Sequence, residues 1–182
     1  HAIDTGALRV RDELLAAFPR QPNEIKRHIA EYYAMISHLD YAFGQLINAL
    51  QENGKFENTI IVFAGDNGLA LGQHGLMGKQ NLYDHSLRVP LIFAGPGIPE
   101  GEQRASPVYL LDIFPTLCSL TSTRIPESVE GKSLVTCINN LDAEVRTSLY
   151  LAYANSIRGV STGDHKLIEY ACGQTQLFNL CK

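Results

Sequence analysis

Apolar residues recur at Ile25, Ile29, Tyr32, Ile36, Leu39, Phe43, Leu46 and Leu50, in alternating steps of four and three. That spacing is one stripe of an α-helix, and it predicts a single long helix docked through the stripe against a sheet. Asn23 is expected to cap its start and Asn53-Gly54 to stop it. Gly44, inside it, weakens it locally. An amphipathic run, Val10 to Phe18, precedes the helix and ends at Pro19. The pattern then changes period. Thr59-Ile60-Ile61-Val62-Phe63-Ala64 and Val89-Pro90-Leu91-Ile92-Phe93-Ala94 are continuous runs rich in β-branched and aromatic residues, as in strands buried on both faces. Pro90 suits a strand whose first amide is unpaired. Asp112 can cap a short helix through Leu120, with Pro115 in its first turn. Helix, buried strand, long loop, buried strand is an α/β layer pattern, in which chemistry is expected beyond the carboxyl ends of the strands.

From about Thr121 the texture becomes turn-rich. Short runs follow at 150–153, 157–160, 166–170 and 176–180, separated by turns such as Thr162-Gly163-Asp164 and Cys172-Gly173. They predict a small antiparallel sheet. The expected organisation is an α/β part over residues 1–120, then a connecting segment and small C-terminal subdomain over 121–182.

Composition narrows the classes. The 182 residues are 45% hydrophobic and 19% charged, as in a globular protein, with a formal net charge of −4. An acidic balance without a dense basic patch argues against nucleic acid as a partner. No apolar run approaches the ~20 residues that cross a bilayer, so no membrane partner is expected. The run from His1 to Gly6 has no basic-then-apolar leader, which leaves the compartment open. Cys118, Cys137, Cys172 and Cys181 have no C-x-x-C spacing, which argues against zinc; disulfides and scattered thiols both remain open.

The chemistry concentrates after the first strand. Asp66-Asn67 offers a carboxylate and an amide oxygen at the strand's end, between Gly65 and Gly68, a pairing that suits a hard cation. A plain Asp-Asn-Gly turn is the alternative. Lys79 lies in the glycine-flanked run Leu71-Gly72-Gln73-His74-Gly75-Leu76-Met77-Gly78-Lys79, where an ammonium can meet a sulfate or phosphate oxygen. A surface lysine is the bland reading. His74 can hydrogen-bond a substrate oxygen or shuttle a proton, or it can simply pin Gly72 and Gly75. Arg88 is expected to pair with Asp84 or a loop carbonyl. No cysteine has a base in a recognisable motif, and Ser86 lacks a nucleophile elbow.

Five segments in order resemble the sulfatases of the alkaline-phosphatase-like superfamily: Tyr32 to Asp40, Asn58 to Asn67, Leu71 to Lys79 with Leu82 to Gly97, Asp112 to Leu117, and Gln176 to Leu180. The resemblance is to the carboxyl-terminal portion of a formylglycine-dependent enzyme. It implies an α/β fold, a partial alkaline-phosphatase-like core with a small C-terminal antiparallel sheet subdomain. It implies that Asp66 and Asn67 bind a divalent cation, usually calcium, and that Lys79 contacts the sulfate ester; His74 matches a frequent loop histidine. The formylglycine arises from a Cys or Ser in a Cys/Ser-x-Pro/Ala-x-Arg motif, which nothing here matches. The resemblance therefore places it in a missing N-terminal half of the same protein and implies that the isolated segment is inactive. The parent is expected to hydrolyse sulfate monoesters of a small molecule or carbohydrate to an alcohol and inorganic sulfate. A phosphate or phosphonate monoester hydrolase of the same superfamily and a non-catalytic binding or assembly module are the alternatives. A periplasmic or extracellular setting is favoured by the same resemblance.

Overall fold

The computed structural model describes Ile3 and residues 11–181. His1 and Val10, the latter the expected start of the amphipathic run, lie outside the described residues. The chain divides into two compact units, His1–Leu91 and Ile92–Lys182; the boundary expected at 120/121 falls inside the second.

In the first unit a 3-10 turn, Arg11–Leu15, leads to helix α1, Pro22–Glu52. The N-cap is Gln21, not Asn23, because Pro22 takes the first helical position, where its missing N–H costs nothing. Asn53 caps the other end, and Gly54 follows at φ 61°. The helix buries none of its residues completely. Its stripe is covered in places: Phe43 meets Phe63 edge-on, with ring centroids 5.8 Å apart. Ile25 approaches Gly72 so closely that a Cβ there would stand 2.9 Å from Ile25 Cγ2. Ile36, Leu39 and Leu46 are exposed. Strand β1 is Ile61–Ala64, two residues shorter than its apolar run.

The upstream run departs most from its pattern. Leu14, Leu15 and Phe18 are exposed, whereas Glu13 is buried. The physical reason is that the Glu13 carboxylate, not a neighbouring leucine, finds partners inside the unit. The first unit's core is instead built from the loop after β1: Ala70, Leu76, Met77, Leu82 and Tyr83 are all buried. A four-residue helix α2, Asp84–Leu87, closes this loop.

Strand β2, Leu91–Ala94, starts at the last residue of the first unit, runs into the second and alternates rather than being buried on both faces, with Ile92 exposed. Helix α3, Ile113–Leu120, starts at Asp112 and carries Pro115 in its first turn. Helix α4, Val135–Asn139, follows. Four strands complete the unit: β3 Leu149–Tyr153, β4 Ile157–Ser161, β5 His165–Tyr170 and β6 Thr175–Asn179. They form one antiparallel meander in sequence order, with Tyr150 opposite Val160, Val160 opposite Leu167 and Leu167 opposite Leu177. The Tyr109 hydroxyl accepts from Tyr150 N (2.6 Å) and donates to Tyr150 O (3.1 Å), capping a stretch of the sheet's free edge.

Asp112 anchors this unit. It is fully buried, accepts from Tyr109 N (2.7 Å) and Lys132 N (2.8 Å), and is paired through both oxygens with Arg146. Burial alone would raise its pKa. The Arg146 guanidinium and the two backbone amides outweigh that effect and hold the carboxyl below its ordinary value. Among the described residues, no helix is long and apolar enough to cross a membrane. All four cysteines are free thiols in the structure: Cys118 and Cys137 buried, Cys172 and Cys181 exposed.

Candidate active site

The segment leaving β1 turns back on itself. Asp66 Oδ1 accepts from Asn67 N (2.8 Å), and Asn67 Nδ2 donates to Gly68 O (3.0 Å). Gly68 is required here because a Cβ would lie 1.9 Å from the His85 carbonyl oxygen. The Gly68 amide donates to Ser86 O at 2.9 Å, which ties the turn to α2. Thirteen positions after Asp66, Lys79 returns to the same place: its Nζ lies 3.1 Å from Asn67 Oδ1. Asp66, Asn67 and Lys79 are all exposed. The carboxyl end of the strand thus carries an accessible ammonium beside an Asp-Asn turn.

His74 sits in the same loop at φ 55°, a left-handed conformation uncommon for a side-chain-bearing residue. Its ring stacks on Tyr83 at 4.1 Å, with His85 centred 6.0 Å away. Desolvation lowers its pKa, which favours neutral imidazole at neutral pH. Arg20 Nε donates to Gly75 O at 3.0 Å, and Gly72 N donates to Leu76 O at 2.8 Å. Arg88 meets Asp84 through the backbone, N to O, at 2.8 Å.

The structure adds residues that local sequence reading passed over. Glu13 accepts from Met77 N (2.9 Å) and Gly78 N (2.8 Å), and Arg20 pairs with it at 2.8 Å. Gln80 Oε1 accepts from Lys79 N (3.1 Å), and Gln80 Nε2 donates to Asp12 Oδ2 (3.0 Å). The hydrogen bond from Gln80, followed by Arg11, holds the Asp12 carboxyl below its ordinary value. No local motif marks Asp12 or Glu13, because their partners lie more than sixty positions downstream.

Among the described residues, Asp66 and Asn67 do not by themselves complete a divalent-cation site. Calcium takes six to eight oxygens. Here one Asp66 oxygen already accepts a backbone amide, and Asn67 Oδ1 accepts from an ammonium. Among the described residues, no group of three or more His, Cys, Asp or Glu could hold a metal ion. The expectation of calcium as a cofactor is corrected accordingly.

Comparison with known proteins supplies the class. A model described as Sulfatase matches residues 8–123, and one described as N-sulphoglucosamine sulphohydrolase, C-terminal, matches residues 72–182. A sulfatase of Formosa agariphila is 32% identical over 156 residues, and arylsulfatase K of Mus musculus is 34% identical over 173. These alignments cover 86% and 87% of this chain, and the chain spans 31% of the length of each relative. The solved structure of BT4656 in complex with its substrate D-glucosamine-2-N,6-O-disulfate matches 87% of this chain and 35% of that one, with a TM-score of 0.80 and 26% identity. The chain belongs to the sulfatase family.

The matches extend over both parts of the chain. The Sulfatase model begins at residue 8 and takes in the α/β part, and the C-terminal model runs on through the antiparallel sheet. The chain is thus matched by the Sulfatase model as well as by the C-terminal one, which corrects the description as only a carboxyl-terminal portion with a partial core. Three expectations rested on that description and are no longer drawn from it: an N-terminal half as a partner, the formylglycine placed in that half, and the inactivity of the segment.

Proposed function

We propose that this protein acts in the hydrolysis of sulfate monoesters, releasing an alcohol and inorganic sulfate, and that Lys79 contacts the sulfate group. The observation that carries this reading is the 3.1 Å contact between Lys79 Nζ and Asn67 Oδ1 at the end of β1, in a chain of the sulfatase family. An ammonium that donates to one neutral amide oxygen has further N–H donors to offer an anion. Such a donor is most valuable where negative charge grows on the leaving and equatorial oxygens as the S–O bond breaks. Asn67 presents its side-chain oxygen to the Lys79 ammonium, and Asp66 stands beside it in the same turn. Neutral His74, stacked on Tyr83, can donate one hydrogen bond to an ester oxygen. The substrate class is a sulfated small molecule or carbohydrate, and a periplasmic or extracellular setting is the one favoured by the family likeness.

The test compares 4-nitrophenyl sulfate with 4-nitrophenyl phosphate, using the protein and its Lys79→Ala variant. Preference for the sulfate is expected, with kcat lowered about 100-fold by the substitution and KM less affected. A clear preference for the phosphate, or an unaltered kcat in Lys79→Ala, contradicts the assignment.

A further inference from the structure

We infer that Glu13 is a positioning residue for Lys79, acting with Arg20 as its counter-charge; this rests on the assignment of Lys79 as the sulfate contact. The Glu13 carboxylate is buried and directs its two oxygens at different targets. Oε1 accepts from Gly78 N at 2.8 Å, and Oε2 from Met77 N at 2.9 Å and Arg20 Nη2 at 2.8 Å. Met77 and Gly78 are the two residues immediately before Lys79. They are buried, while Lys79 itself is exposed. The clamp therefore ends where the functional ammonium begins.

Arg20 extends the same device. Its guanidinium also donates to the carbonyls of Glu13 (2.9 Å), Gly75 (3.0 Å) and Ala16. The loop is thus held at Gly75 by Arg20 and at Met77 and Gly78 by Glu13. Gln80 accepts the Lys79 amide, so side-chain oxygens receive three successive backbone N–H groups, 77 to 79. Gly78 belongs to the fit, because a Cβ there would lie 2.7 Å from Glu13 Oε1. Burying a charge pair is expensive compared with burying apolar side chains of the same size. The arrangement is explained when the carboxylate's lone pairs fix a backbone segment whose placement matters to within a fraction of an ångström.

The test is a double-variant cycle in steady-state kinetics on 4-nitrophenyl sulfate, with Glu13→Gln, Lys79→Ala and both together. Glutamine keeps one acceptor oxygen, so one of the two amides loses its partner. Glu13→Gln is expected to lower kcat about tenfold with KM within about twofold, and to add nothing in the Lys79→Ala background. Losses that multiply, or a wild-type kcat in Glu13→Gln, overturn the inference while leaving Lys79 in place. A wild-type kcat in Lys79→Ala overturns the site assignment and this inference together. If Glu13→Gln does not fold, amide hydrogen exchange on the unaltered protein decides. The Met77 and Gly78 amides are expected to exchange slowly and to slow further with inorganic sulfate, and fast exchange or no response to sulfate overturns the inference.

Discussion

Glu13 and Asp112 are both buried carboxylates met by an arginine, one in each unit, and they hold different things. Glu13 reaches amides 64 and 65 positions downstream, and the backbone it grips runs directly into exposed Lys79. Asp112 grips Tyr109 N, three positions back, and Lys132 N, twenty positions on. The backbone on that side runs into the interior, where Leu134 N donates to Thr116 Oγ1 at 2.9 Å. Arg146 is further backed by the Tyr109 ring, 4.7 Å from its guanidinium carbon. A buried ion pair is by itself weak evidence of either stability or function. The lone pairs left over, and the chain they hold, distinguish a clamp on a reactive loop from a staple in a scaffold.

The largest effect is expected from breaking the staple. Asp112→Ala leaves Arg146 buried without its anion and orphans two amides, and should cost about 3–5 kcal/mol in urea unfolding. A loss below about 1 kcal/mol would reduce the pair to surface strength and remove the contrast.

A smaller effect follows from protonation. The Asp112 carboxyl titrates below its ordinary value in the folded protein. Its contribution is therefore complete above the unfolded-state value of about 3.9 and is lost as pH falls through the depressed folded value. Unfolding free energy measured against pH should fall on that acid limb, and Asp112→Asn should flatten the fall. An unchanged slope would show that other carboxylates govern acid unfolding. The smallest effect is expected at the surface, where Arg27 Nε and Glu31 Oε1 lie 3.8 Å apart, both well exposed. Glu31→Ala should change stability by less than about 0.5 kcal/mol. A larger loss would mean that burial is not what separates the strong pairs from the weak.

Long-period features were legible from the chain alone. The stripe from Ile25 to Leu50 forms one helix, and the four runs after residue 149 form four antiparallel strands, because both are local periodicities separated by turn residues. The meeting of Asn67 and Lys79 was legible from order and spacing, since both flank one loop that starts at a strand's end. What stayed hidden depends on distant partners. Glu13 stands among leucines in a run whose pattern suggests that the leucines face inward, and only the amides of Met77 and Gly78 explain why the carboxylate does so instead. The continuous apolar run of β2 suggested burial on both faces, but an exposed Ile92 shows that composition alone does not report which faces are covered.

The central claim, that the Lys79 ammonium is the anion contact, is tested most directly by NMR of lysine side-chain ammonium groups during titration with inorganic sulfate. The account predicts that the Lys79 signal shifts and saturates while those of Lys26 and Lys55 stay still. A Lys79 signal that does not move, or lysines that all drift together with ionic strength, would contradict it.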